Sequence, residues 1–183
     1  MPINKITFYG FEQFTSLDFM PKIVEFLRMK SEKRTEDDLK KFVEFMFSIK
    51  MDFEEHGEGL PECVYCAEKE NNVIVVELKQ MGQMESPIEI VDPITKVFNP
   101  NMFVVMAEAW SLDRPPVEGK KIRDDPDKRE CFLLDGRTMN GGKYSEFYHV
   151  NRNGETPKYE KEDLNENHLE TRYDTPEKSD DIV

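Results

Sequence analysis

Long apolar runs are missing from this chain. None approaches the length of about eighteen residues that a membrane-spanning helix needs, so the sequence predicts no membrane partner. Positive charge is in short supply: 25 Lys and Arg face 38 Asp and Glu, a formal net charge of −13. That balance argues against a surface built to grip phosphates and makes direct nucleic-acid binding an unfavoured reading. It fits an acidic protein that works through protein contacts, with nucleic-acid mimicry as a special case. Cysteine is sparse and odd in number, at three. Residues 1–10 lack a basic start followed by an apolar run. The sequence therefore predicts free thiols in a reducing, cytoplasmic setting.

The chemical templates are missing too. No GxGxxG or GxxxxGK[ST] phosphate loop occurs, nor a GxSxG elbow, nor an HExxH zinc helix. Asn140-Gly141-Gly142-Lys143 has the flavour of a phosphate loop but joins two predicted strands instead of opening a helix. Cys63-Val64-Tyr65-Cys66 is a lone CxxC. Structural zinc takes four ligands, and residues three apart on a strand point to opposite faces. These thiols are expected to be small buried hydrophobes. Asp124-Asp125-Pro126-Asp127 lacks the spacing, the glycine and the closing Glu of a calcium loop and is expected to be a solvated turn. Lys120-Lys121-Ile122-Arg123 is too small a basic spot to indicate nucleic acid.

What is present is a patterned α+β domain. Residues 102–110 form the longest nearly unbroken apolar run and hold the only Trp, Trp110. Entered from Asn99-Pro100-Asn101, the run predicts a central strand buried on both faces. Residues 3–9 predict an edge strand and residues 18–30 a short helix, with Pro21 in its first turn. Thr35 and Asp38 form a capping box for a longer helix ending at Gly57, its apolar stripe made by Leu39, Phe42, Val43, Met46, Ile49 and Phe53. The two helices read as an antiparallel pair on one face of a sheet.

Residues 62–68 and 73–80 predict a hairpin turning at Lys69-Glu70-Asn71-Asn72, where Asn accepts positive φ. A helical piece ends near Phe98, starting either at Ser86-Pro87 or at Asp92-Pro93. Residues 111–128 carry Pro115-Pro116 and no apolar period, which predicts a long surface loop. Residues 130–135 and 143–150 predict a second hairpin. The expected fold is a mixed, largely antiparallel sheet with helices on one face, spanning residues 1–150. Residues 151–183 have twice as many acids as bases, a composition typical of disorder. Their anchors, among them Tyr159, Leu164 and Tyr173, predict that this acidic tail packs on the domain or on a neighbouring chain, contributing to a homodimer contact.

The residues with chemical potential are carboxylates. Glu108 closes the apolar run, Glu130 opens the next strand, and Glu146 and His149 lie in the last. On neighbouring strands, such side chains would suit a hard divalent ion or acid–base work. His149 would need a bulge to turn inward beside them. The structural alternative pairs Glu108 with Arg129 or Arg114, or lets it emerge at the sheet edge, since a lone buried carboxylate is too costly to keep charged. The sequence assigns no complete catalytic set, no metal and no cofactor.

Glu108-Ala109-Trp110, followed by Asp125-Pro126-Asp127-Lys128-Arg129-Glu130 after a charged, Pro-containing loop, resembles a set of small bacterial and phage proteins of unknown function. In these, an apolar strand ends in E-A-W and a D-P-x-R-x-E-type segment leads to the next strand. The resemblance covers residues 35–138. It implies a compact α+β domain, brings no activity or cofactor, and groups Glu108, Trp110, Arg129 and Glu130 as an ion-pair cluster or a site. Two function classes follow: a non-catalytic interaction module with a protein partner, or a small metal-dependent hydrolase using Glu108, Glu130 and His149.

Overall fold

A computed structural model describes residues 2–10, 17, 19–78, 90–154, 156–163 and 173–174. The elements are β1 (Lys5–Tyr9), α1 (Met20–Arg28), α2 (Glu36–Glu55), β2 (Cys63–Lys69), β3 (Asn72–Glu77), α3 (Val91–Phe98), β4 (Met102–Ser111), β5 (Arg129–Thr138), β6 (Lys143–Asn151), β7 (Lys158–Glu162) and β8 (Tyr173–Asp174). Seven strands form one open sheet in the order β1-β3-β2-β4-β5-β6-β7, and β8 pairs with the end of β4. Only β1 and β3 run parallel among these pairs. The α+β class and the mixed, largely antiparallel sheet are as the sequence implies. Among the described residues no helix is long and apolar enough to cross a membrane.

Local chemistry explains the elements. Thr35 Oγ1 accepts the Asp38 backbone N–H at 3.1 Å, and Asp38 accepts the Thr35 N–H at 3.0 Å, which starts α2. Glu70 and Asn71 hold φ of 47° and 61°, the two left-handed positions of a tight hairpin turn between β2 and β3. α3 begins at Val91 after an N-cap at Ile90, one residue ahead of the Asp92-Pro93 candidate, and Pro93 falls in its first turn, where no intrahelical N–H is needed. The Ser86-Pro87 start lies outside the described residues. Asn99, at φ 42°, closes α3 in the left-handed conformation. β4 sits mid-sheet between β2 and β5, as its apolar run requires.

The helices do not share one face. Leu39, Phe42, Val43 and Met46 of α2 pack with Val64, Cys66, Met102, Val104 and Met106. Ile23 and Phe26 of α1 and Phe98 of α3 pack with Cys63, Tyr65, Ala67 and Ala107. Strand side chains alternate between faces, so the two sets lie on opposite sides. The expected antiparallel pair of α1 and α2 is thus split by the sheet. The reason is the burial of β2 and β3 on both faces: strands apolar on each side need cover on each side. Cys63 and Cys66 diverge as a strand demands and, with Cys131, are buried.

The sheet also continues past the composition break at Asn151. β7 extends it through Glu162, with Tyr159 opposite Val150 and Lys161 opposite Tyr148. Of the predicted loop over residues 111–128, Ser111 ends β4, and the rest is irregular apart from a short 3-10 helix at Ile122–Asp124, whose Ile122 is buried. Arg114 clasps that loop, reaching both carboxylate oxygens of Asp125 at 2.9 and 2.8 Å and Asp127 at 3.2 Å. The expected solvated turn is therefore tied down by an arginine.

Candidate functional site

The polar residues with chemical potential gather under α2. Unbroken register places Glu108, Phe132, Tyr148 and Lys161 in one row across β4, β5, β6 and β7. Met106, Leu134 and Glu146 form the next row, and Trp110 faces Glu130. Because residues in a row share a face, Glu108, Glu130 and Glu146 all project toward the α2 side.

Lys50 meets them from above. It follows Met46 by one turn on the buried stripe of α2 and is only 2% exposed. Its ammonium lies 2.8 Å from Glu108 Oε1 and 3.1 Å from Glu54 Oε1, with the Phe132 ring centroid 5.2 Å away. Tyr159 of β7 donates its hydroxyl to Glu54 Oε1 at 2.5 Å. Burial, then the Glu54 carboxylate, pushes the Tyr159 phenol well above its ordinary range. Glu130 accepts from Arg152 Nε at 2.8 and 2.9 Å and from Nη2 at 2.7 Å, a forked pair that holds the guanidinium's proton more firmly.

Two further carboxylates complete this face. Glu146 is 1% exposed and accepts from Tyr144 at 2.8 Å, Tyr148 at 2.7 Å and Lys161 at 3.0 Å. Burial alone would raise its pKa. The three donors outweigh burial and hold the carboxyl below its ordinary value. Tyr148 is itself stacked on Phe47 of α2, with centroids 4.2 Å apart. Glu68 is fully buried. It accepts from Arg34 at 2.6 and 3.3 Å, from Asn101 Nδ2 at 3.0 Å and from the Asn71 backbone at 3.0 Å.

The expected pairing of Glu108 with a guanidinium is corrected by this geometry. Its partner is the ammonium of Lys50, carried over the sheet by α2. Arg129 faces Asp113 at 3.2 Å, because it neighbours Glu130 on the strand and so points to the other side. Arg114 is occupied by Asp125 and Asp127. Of the residues grouped by the resemblance, Glu108, Trp110 and Glu130 share a face and Arg129 does not. Trp110 carries Lys128 over its ring, 4.8 Å from the centroid.

The proposed metal trio is likewise divided. Glu108 and Glu130 are diagonal neighbours on the α2 face. His149 is opposite Cys131, on the other face, and the β5–β6 register runs without a bulge from that pair to Arg137 and Lys143. Its Nε2 lies 2.6 Å from Glu162 Oε2 instead. Among the described residues no three His, Cys, Asp or Glu side chains are grouped as metal ligands. Sequence reasoning missed Lys50 and Arg152, and named Tyr159 only as an apolar anchor of the tail. The signal for Lys50 was its place on the Leu39–Met46 stripe.

No family model, curated protein or solved structure matches this chain, so its chemistry is read from its own geometry.

Proposed function

We propose that the chain is a non-catalytic, acidic, cytoplasmic protein-interaction module, of the phage-like kind its E-A-W and D-P-x-R-x-E-type segments resemble. One observation carries this reading. Glu108 and Glu130, the carboxylates nearest to a catalytic arrangement, are each held by a cation of their own chain, Lys50 at 2.8 Å and Arg152 at 2.7 Å. Carboxylates fixed this way serve as structure: each is engaged by a charge-assisted hydrogen bond from a cation of the same chain. The formal charge of −13 is then available to steer a protein partner with a complementary basic patch. A second copy of this chain is the other partner to be tested.

The competing reading, a small metal-dependent hydrolase, draws on the shared face of Glu108 and Glu130. Thermal unfolding with Mg²⁺, Mn²⁺ and Zn²⁺, on the native chain and on Glu130→Gln, separates the two. The interaction reading expects no ion-specific rise in Tm that the substitution removes, and a partner complex that weakens as salt is added. A stoichiometric metal-induced rise lost in Glu130→Gln, with turnover of a phosphodiester or ester, overturns it.

A further inference from the structure

The sheet has two outer strands, β1 and β7, and among the described residues neither carries a further strand on its outer side. An open edge offers N–H and C=O groups to any chain that can align with it, and charged side chains are a common guard against that. β7 is guarded: Lys158, Glu160, Lys161 and Glu162 make up all of it but Tyr159. β1 reads Lys5-Ile6-Thr7-Phe8-Tyr9 and is charged only at its start. It pairs with residues 72–76 of β3 in unbroken register, so no bulge turns this edge away from a partner.

The side chains of β1 fit a strand like itself. Ile6 and Phe8 stand opposite Val73 and Val75 and so lie on the α2 face. Ile6 packs on that core, while Phe8 stays 42% exposed with its ring centroid 5.4 Å from that of Phe53. Lys5, Thr7 and Tyr9 lie on the α1 face. Lys5 is exposed there, as is Glu25 of α1. Glu25 is close enough to act on Tyr9: burial, then that carboxylate, raises the phenol above its ordinary value.

We infer that β1 is the edge through which this chain takes a second copy of itself, strand to antiparallel strand across a two-fold axis. The alignment that sets Thr7 against Thr7 of the second copy is the one that pairs the whole strand. Opposite residues share a face, so Ile6 then meets Phe8 on the α2 face, twice by symmetry, and the exposed ring is covered. Lys5 meets Tyr9 on the other face, which brings its ammonium toward Glu25 of the second copy. The same alignment of β7 would set Glu160 against Glu160, a like-charge pair that opposes it. β1 itself holds no acid, and the net charge of −13 on each copy is screened beyond about 8 Å at physiological ionic strength. The inference names a partner for the interaction module proposed above and rests on that reading.

Sedimentation of the full-length chain through micromolar concentrations tests it. The expected particle has twice the 21.6 kDa of one chain. Phe8→Lys sets a charge against Ile6 and is expected to leave the chain monomeric, with its circular dichroism unchanged. Should Phe8→Lys unfold, cysteine cross-linking decides alone. On mild oxidation Thr7→Cys should form a covalent dimer, because its two thiols meet at the axis. Lys5→Cys should not, because its two copies stand about 13 Å apart along the edge, beyond the reach of a disulfide. The three native thiols are buried and do not compete. A chain monomeric at every concentration, a dimer that folded Phe8→Lys leaves intact, or a Lys5→Cys cross-link equal to that of Thr7→Cys overturns the inference. Thermal unfolding with metal ions judges the interaction reading by a separate measurement, so either can fail alone.

Discussion

Beneath α2 the sheet buries Lys50, Glu68 and Glu146, and each meets an opposite charge. Beneath α1 it buries Lys69, which meets an aromatic ring. The two faces share the same strands, so the difference lies in what the covering helices bring. α2 carries a lysine on its buried stripe, and the segment leading into it supplies Arg34; α1 presents Phe26. Taking an ion out of water costs several kcal/mol, and a partner offsets this only with good geometry and filled hydrogen bonds. The α2 face meets that condition three times over. Its ion pairs cross between elements, from α2 to β4 and between the neighbouring strands β6 and β7, so the polar groups align the same elements that the apolar core packs. The α1 face leaves one charge facing an aromatic ring in place of an opposite charge.

The contrast is broken most directly at Lys50. Lys50→Met keeps the length and apolar stem of the side chain but removes the ammonium from between Glu54 and Glu108. Two carboxylates would then face each other beneath α2. The expected loss is about 3 kcal/mol, the lower end for stranding a buried charge, since both carboxylates are partly exposed. Urea unfolding measures it. A loss under about 1 kcal/mol would mean that the packing of Phe42, Val43 and Met46, not the pairing, holds α2 in place.

Much of this fold was legible because its elements obey simple periods. The capping box and stripe marked α2, Asn71 marked the β2–β3 turn, and the run around Trp110 marked β4. Others were hidden for physical reasons. β7 alternates Tyr159 and Lys161 with Lys158, Glu160 and Glu162, so a two-residue period sat inside a charged composition that reads as disorder. Gly136 resembled a strand terminator yet lies within β5. A Cβ there would come within 2.9 Å of Val43 Cγ2 and 3.0 Å of Leu39 Cδ1, so the glycine marks a close approach of α2 to the sheet. The site was half legible. Alternation correctly put Glu146 and His149 on opposite faces. Which cation would reach Glu108 depended on how α2 lies across the sheet, and no local pattern encodes that.

A finer probe of the same face is Glu146→Gln. The carboxyl's pKa is below its ordinary value in the folded chain, so its stabilisation is present above the unfolded value and lost as pH falls through the folded one. At neutral pH the substitution should cost about 2 kcal/mol, the scale of charge-assisted hydrogen bonds. As pH falls below the ordinary carboxylate value the two stability curves should converge. Asp38 and Asp125, also held below their ordinary values, titrate in both proteins and drop out of the difference. A gap that stays constant down to acid pH would assign the effect to shape instead of charge.

The smallest effect is expected on the other face, with the opposite sign. Lys69→Met replaces an uncompensated ammonium with an apolar side chain of similar length against Phe26. It should stabilise the chain by about 1 kcal/mol, because burying an unpartnered polar group is costly. The pH dependence identifies the cause. A lysine whose folded pKa is lowered destabilises fully below that value, and the penalty fades as pH rises toward the unfolded value near pH 10. The advantage of Lys69→Met should therefore be widest at neutral pH and narrow in alkali, as urea midpoints across that range would report. Were Lys69→Met destabilising at neutral pH, the lysine would have to be held by a favourable partner, and the two faces would treat buried charge alike.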